Sequence, residues 1–347
     1  MALTIRRVDL DRDRDELLDL LTVNLPAVDH RRRFDWLYRA GPAGPAWSWF
    51  ACDPASGRAV GTASVYPRAA WIDGRSARCG HVGDFAVDAD HRSLGPAVML
   101  QRATFEPVDR GELAFCYDCP PHAAGMAPFV RLGMKATILT GRYARLLRAD
   151  RQIARRLGHF PGARALTTAA NALLAARGRM AAPVDVEISV LEGRFGDEFT
   201  ALDRETRMLA PIRARRSADD LNWGYRDDPL RTYDVLTARR AGELQGFIVL
   251  SRSREDASVI DVTPPPPDAV AVALLDAARE YLARFRSEVL YALAADASES
   301  SAELARTGFR RRSSGPALVA YTAPGSGVVP LLERLGGWRV QASDVIA

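Results

Sequence analysis

The sequence predicts an α/β protein built from two tandem units of one plan, each a mixed, mostly antiparallel sheet flanked by helices. Three observations carry this expectation. A Trp-x-Tyr-Arg-x-x-Pro segment occurs at Trp36–Pro42 and again at Trp223–Pro229. A pair of strand-like runs follows each copy. Late in each half a helix is stopped by glycine, in Phe129-Val-Arg-Leu-Gly133-Met and in Leu304-Ala-Arg-Thr-Gly308-Phe, where the C′ position needs φ > 0. The markers keep their order while the offset drifts from 187 to 175 residues, as duplication of one unit expects.

Strands are expected near residues 3–8, 46–52, 59–66, 80–87, 112–117 and 135–141, and helices near 12–22, 30–39, 95–106 and 122–132. Ala46–Cys52 and Ala59–Tyr66 are apolar runs joined by the turn Asp53-Pro-Ala-Ser-Gly57. In the second half Tyr233–Ala238 and Leu244–Leu250 are joined around Gly242. The predicted units are residues 1–144 and 183–325, with a helical linker at 145–182 and a tail at 326–347. The linker is rich in Arg, Ala and Leu, with leucines at helical spacing. A basic amphipathic helix of this type either packs across two domains or lies on a membrane; packing is the expectation here.

Composition excludes other classes. The chain has 347 residues, 48% hydrophobic and 26% charged, which is globular rather than disordered or fibrous. No apolar run reaches the ~20 residues that span a bilayer, and the N-terminus lacks an apolar signal core; the expectation is a cytoplasmic protein without stable membrane insertion. The net charge of +4 is modest for this length and gives no reason to expect nucleic acid. Lys135 is the only lysine, a bias read as compositional. Cys116-Tyr-Asp-Cys119 and Cys79-Gly-His81 have metal-like spacing, but structural zinc needs two ligand pairs; small apolar residues ending a buried strand, Leu113–Tyr117, are the simpler reading, and no metal is expected.

The stretch Asp84-Phe-Ala-Val87 followed by Arg92-Ser-Leu-Gly95-Pro-Ala97 reads as strand, tight loop and helix start. Small residues there let a ligand approach the backbone. Pro96 suits the first helical position, where its missing N–H costs nothing. Free amides with the helix dipole behind them form an anion site, and Arg92 adds charge at its rim. Arg92-x-x-Gly95-x-Ala97 resembles the acyl-CoA pyrophosphate loop of the GNAT acyltransferase superfamily, Gln/Arg-x-x-Gly-x-Gly/Ala. The element order of both halves resembles the same fold, so the similarity covers nearly the whole chain.

The resemblance implies an N-acyltransferase using acetyl-CoA or another acyl-CoA, with the cofactor held by Arg92, Ser93, Leu94, Gly95, Pro96 and Ala97. The backbones of Phe85, Ala86 and Val87 would take the pantetheine arm, with Gly83 as the site of local distortion. It implies direct attack by a small amine, an amino sugar being one case, without a covalent enzyme intermediate. Asp84 is the expected base, with a pKa raised by apolar neighbours Val82 and Ala86; the alternative is an Asp held by backbone donors or an arginine. The family's usual acid is a tyrosine four residues before the late-helix glycine. That position is Phe129 here, which has no proton to donate; either Tyr117 or His122 substitutes, or no acid is needed because a thiolate leaves readily near neutral pH. In the second half the corresponding loop is Pro264-Pro-Pro-Pro267, which lacks backbone donors. That half is expected to keep the fold without a cofactor site, and to wall the acceptor pocket or mediate a homodimer. Two other functions fit parts of the pattern. A Fem-type aminoacyl-tRNA-dependent transferase would need a basic face and no CoA loop. A non-catalytic CoA-binding or interaction module would tolerate Phe129.

Overall fold

The computed structural model describes residues 3–120, 123–158, 160–176, 184–334 and 336–345. His122, one of the expected catalytic residues, lies outside them. The first half runs β1 (Thr4–Arg7), α1 (Arg14–Asn24), α2 (His30–Phe34, continued by a wider turn over Asp35–Arg39), β2 (Trp47–Cys52), β3 (Ala59–Ile72), β4 (Arg75–Val87), α3 (Leu94–Ala103), α4 (Glu106–Asp109), β5 (Cys116–Asp118), α5 (Ala123–Arg131) and β6 (Thr140–Leu146). A helical pair follows, α6 (Asp150–Leu157) and α7 (Ala163–Ala176). The second half runs β7 (Glu187–Val190), α8 (Asp197–Glu205), β8 (Ile212–Ala214), α9 (Ala218–Tyr225), β9 (Asp234–Arg240), β10 (Glu243–Arg252), β11 (Asp256–Thr263), α10 (Ala269–Ala283), β12 (Val289–Ala295), α11 (Glu299–Arg306), β13 (Arg310–Ser314) and β14 (Val319–Tyr321). Short helices α12 (Val329–Glu333) and α13 (Ala342–Val345) close the chain.

Local chemistry explains the boundaries. α1 buries Leu17, Leu18, Leu20 and Leu21, one apolar face of an otherwise charged segment. Ser217 and Asp220 form a reciprocal capping box that starts α9. The β3–β4 hairpin is six residues longer on the β3 side than the sequence predicts. Asp73 and Gly74, at φ 46° and 70°, make its tight turn, the Asp-Gly signal of a two-residue hairpin.

There are two sheets, and their membership corrects one expectation. The first has the order β1-β2-β3-β4-β5-β14, with β8 beside the far end of β3; the second has the order β13-β6-β12-β11-β10-β9-β7. The strand expected near 135–141 to close the first sheet is instead β6, paired between β12 and β13 of the second. In return β14 pairs with β5 of the first sheet, and Thr137 donates to the Leu318 carbonyl at 2.7 Å. Each half therefore gives its last strand to the other. A sequence boundary at residue 144 falls inside β6. The period of a strand says which face is apolar, not which sheet receives it.

Both faces of each sheet carry a core. α1 and α2 pack over one face of the first sheet with Phe34, Leu37, Tyr38 and Phe50, and α3 over the other with Trp49, Val82, Leu100 and Phe129. A further cluster sits between the halves, with Ala70, Cys79, Phe115, Tyr117, Ile212, Leu318 and Trp338. The repeated tryptophans meet at the edge of the α1/α2 cluster in a reciprocal pair. Their rings stack at 5.0 Å, Trp36 Nε1 donates to the Trp223 carbonyl at 2.7 Å, and Trp223 Nε1 donates to the Trp36 carbonyl at 3.0 Å. The contact is the same read from either half, so a pseudo-twofold axis passes between the two rings.

Candidate functional site

Strand β4 carries the first element of the site. Thr62 faces Ala86 and Ser64 faces Gly83, so Ala63 alone opposes Asp84 and Phe85. This is a bulge, which bends a strand and leaves a residue out of the ladder. Asp84 sits at φ 46°, a left-handed conformation that Asp tolerates better than most residues. The distortion falls one residue after the expected Gly83.

The Asp84 side chain has little freedom. It is 7% exposed and ion-paired to Arg33 Nη2, itself 4% exposed. Tyr38 and Tyr66 each donate a hydroxyl to Oδ2 at 2.7 Å. Burial alone would raise the carboxyl's pKa, but Arg33 and the two tyrosines outweigh it and hold it below the usual carboxylate range. The raised pKa expected of a base is thus corrected: Val82 and Ala86 are neighbours along the strand, but what surrounds the carboxylate is a cation and two hydroxyls. Three fixed partners also explain how a non-glycine residue keeps this backbone conformation.

The same arrangement recurs in the second half. Arg216 Nε donates to Asp261 Oδ2 at 2.8 Å, and Tyr225 donates its hydroxyl to the same oxygen at 2.8 Å. Asp261 lies on β11, the counterpart of β4. The repeated Trp-x-Tyr motif is thereby explained: its tryptophan joins the halves and its tyrosine binds the bulged strand's aspartate. Sequence reading found the repeat but not the arginine and aspartate that complete it.

Strands β4 and β5 supply the second element. They pair in parallel only at Gly80–Cys116 and His81–Tyr117. Gly80 is required there, since a Cβ would come within 2.5 Å of Val65 Cγ1 and 2.8 Å of Leu113 Cδ1. Past Tyr117 the strands part, and Val82–Val87 has no strand partner on that side among the described residues. The backbones of Phe85, Ala86 and Val87 lie on this open edge.

The third element is the start of α3. Ser93 occupies the N-cap but its side chain makes no capping bond, so the first amides of the helix are left for other partners. Pro96 is the third helical residue rather than the first, still inside the turn where its N–H is not needed. Arg92, Ser93, Gly95 and Pro96 line an open groove of about 450 Å³ with Leu3, Asp90, His91 and Met99. Nothing lies within 4 Å of where a Gly95 Cβ would point. Arg92 reaches back to the Val87 carbonyl at 3.3 Å, joining the loop to the end of β4. Leu94 is 43% exposed and Ala97 half-buried, both on the same first turn.

The matching cleft of the second half is filled by the chain itself. Its loop is Pro264–Pro267, and Asp268 accepts from Val270 N at 2.8 Å, so the α10 N-terminus already holds a carboxylate. The C-terminal tail runs along the open edge of β11. Val262 N donates to Gln341 Oε1 at 2.7 Å, and Gln341 Nε2 donates to the Val262 carbonyl at 3.1 Å. Arg216 Nη2 donates to Ser343 and Asp344 at 3.0 and 3.3 Å. Replacing Gln341 with Ala leaves both Val262 groups without a partner and is expected to cost about 1–3 kcal/mol, read by urea unfolding; an unchanged midpoint would mean that the tail does not hold this edge.

Tyr117 is 4% exposed and stacks on His81 at 4.9 Å, with Trp338 edge-on at 4.7 Å. Burial, with Cys79 nearby, raises its pKa well above the ordinary value, so it stays protonated. Burial and then Arg68 lower His81 to about 3. Phe129, at the usual acid position, is 2% exposed in the α3 core. The sequence reading passed over Asp118, the last residue of β5 at the mouth of the splay. Burial, opposed only by a backbone bond from Cys119, raises its carboxyl to about 7. The signal was present, an acid ending a strand beside the parting point, but it was read only as part of a cysteine motif.

These shifts have opposite linkage. Folded His81 lacks a proton that the unfolded chain binds between pH 6.5 and 3, so its burial costs stability as pH falls through that window. Folded Asp118 keeps a proton that the unfolded chain has lost above its ordinary value near 3.8, so its burial costs stability as pH rises toward 7 and beyond. Asp118→Asn is therefore expected to raise the unfolding free energy at pH 8 but not at pH 4. Equal effects at both values would show that the carboxyl is not the titrating group.

No protein-family profile matches the chain, and no characterised protein matches it by sequence. Solved structures do match it by shape. A probable N-acyltransferase from Enterococcus faecalis V583 superposes with a TM-score of 0.66 at 10% identity, over 93% of this chain and 72% of that one. A GCN5-related N-acetyltransferase from Anabaena variabilis gives 0.65 at 10% identity, over 91% and 72%. Saccharomyces cerevisiae N-myristoyltransferase with bound myristoyl-CoA gives 0.56 at 10% identity, over 100% and 85%. At these identities the likeness is one of fold, and it agrees with the bulged fourth strand, the splay and the loop before α3. The chain has the fold of the GNAT superfamily of N-acyltransferases.

Proposed function

We propose that the protein transfers an acyl group from an acyl-CoA to an amine, at a single site in its first half. One observation carries the reading: an uncapped helix N-terminus lies beside a bulged strand edge that has no strand partner among the described residues. The matching place in the second half is closed by prolines, Asp268 and Gln341. The Leu94, Gly95 and Ala97 amides and Arg92 would hold the pyrophosphate, and the Phe85–Val87 edge the pantetheine arm. The bulge at Asp84–Phe85 would direct an amide at the thioester oxygen, where negative charge develops as the amine attacks. Asp118, which ends β5 where the strands part and lies on the face opposite Tyr117, would take the proton that the attacking amine sheds through an intervening water. Tyr117, protonated and lining the cleft between the halves, is the donor available to the departing thiolate. Asp84 shapes the bulge instead of exchanging protons.

The acceptor would enter the cleft between the halves, which is lined by Trp36, Arg68, Tyr117, Trp223, Arg231 and Asp344. The test is calorimetric titration with acetyl-CoA and CoA, followed by thiol release against a panel of amines that includes amino sugars, amino acids and peptides. Micromolar CoA binding with amine-dependent thiol release supports the proposal. Absence of any CoA binding overturns it.

A further inference from the structure

The helical pair between the two halves is amphipathic in the wrong sense for a packed linker. On α7 the row facing the body, Ala163, Thr167, Ala170, Asn171 and Leu174, is half-buried and largely small or polar. The outward row is Ala165, Leu166, Ala169, Ala172 and Leu173, all exposed, at the i, i+3, i+4, i+7 spacing of one apolar stripe. Leu166 is 47% and Leu173 51% exposed. Phe160, in the turn between the helices, is 61% exposed, and Leu157 at the end of α6 is 39% exposed. A water-facing helix normally puts its polar residues on this side.

The pair is nevertheless firmly held at its base. Arg151 reaches Glu255 at 2.7 Å, Asp256 at 3.0 Å and Glu288 at 3.3 Å on the rim of the second sheet. Asn171 donates to Asp150 at 2.9 Å and accepts from Ala149 N at 2.8 Å. The apolar stripe therefore stands on a fixed platform.

Charge says what would cover it. Arg155, Arg156 and Arg164 are exposed, and no ion pair engages them among the described residues. The one acid between residues 150 and 182 is Asp150, engaged by Arg148 and Asn171. Two copies of this surface placed face to face would bring like charges together. An anionic bilayer accepts both features, because the arginines meet lipid phosphates while Leu157, Phe160, Leu166 and Leu173 enter the acyl boundary.

We propose that α6 and α7 form a docking surface for an anionic membrane, on which the protein lies without inserting a spanning helix. The inference is independent of the reaction proposed above. It is tested by flotation of the full chain with vesicles of phosphatidylcholine, alone or mixed with phosphatidylglycerol. The expected result is co-flotation with the mixed vesicles only, weakened by salt. Arg155→Gln with Arg156→Gln should reduce the partition coefficient roughly thirtyfold, and Leu166→Asp with Leu173→Asp should abolish binding. All four positions are exposed, so the variants should keep the wild-type circular dichroism and melting temperature. The proposal is overturned if the wild type stays in the soluble fraction with anionic vesicles, whether as a monomer or as a dimer that Leu166→Asp dissociates. It is equally overturned if binding survives the double aspartate variant.

Discussion

Gly95→Glu is expected to remove CoA binding while leaving the fold intact. Gly95 is the second residue of α3, its φ is not positive, and a Cβ there meets nothing within 4 Å. The new side chain costs no packing, and an acid in a first helical turn is favoured by the dipole. Stability should change by less than about 0.5 kcal/mol, as at other open surface sites. The carboxylate would occupy the space that the pyrophosphate needs. Like charges ~4 Å apart repel by several kcal/mol at the effective dielectric of a protein surface. A loss of roughly a hundredfold or more in CoA affinity follows, read by calorimetry. Unchanged affinity would place the nucleotide elsewhere and remove the basis of the proposed reaction.

Asp84→Ala is expected to cost about 3–5 kcal/mol of folding stability, the penalty for leaving a buried charge unpaired. Arg33 would lose its carboxylate in a site where it is 4% exposed, and Tyr38 and Tyr66 would lose their acceptor. Asp84→Asn should cost less, because an amide oxygen can still accept from the tyrosines. The pH dependence follows from the lowered pKa. Stability from the ionised carboxylate is present above the ordinary Asp value, near 4, and is lost as pH falls below it through the folded value. Urea unfolding at pH 7 and pH 4 measures both effects. A variant with wild-type stability and no turnover would instead identify Asp84 as a catalytic base.

Much of the site was legible because it depends on short-range backbone chemistry. Arg92, Gly95, Pro96 and Ala97 lie within six residues, and the turn they form follows from their own conformational limits. The four prolines of the second loop are informative for the same reason, since a missing N–H is a property of the residue itself. Asp84 was located on the right strand, but its pKa is lowered where a base would have it raised. Its pKa is set by Arg33, Tyr38 and Tyr66, which are 51, 46 and 18 residues away in sequence. Asp118 went unnoticed because its distinction is burial, which no single residue announces.

The sequence alone determined the repeated plan, the strand-loop-helix start at residues 84–97 and the asymmetry between the two loops. Each rests on local conformational preference and on donors that a residue does or does not possess. Only the tertiary structure decided which sheet receives each last strand, which carboxylate is clamped by a cation and which has its pKa raised by burial. It also placed Gln341 on Val262, across 79 residues of chain. Those outcomes depend on partners brought together by folding, and on the desolvation that their meeting imposes.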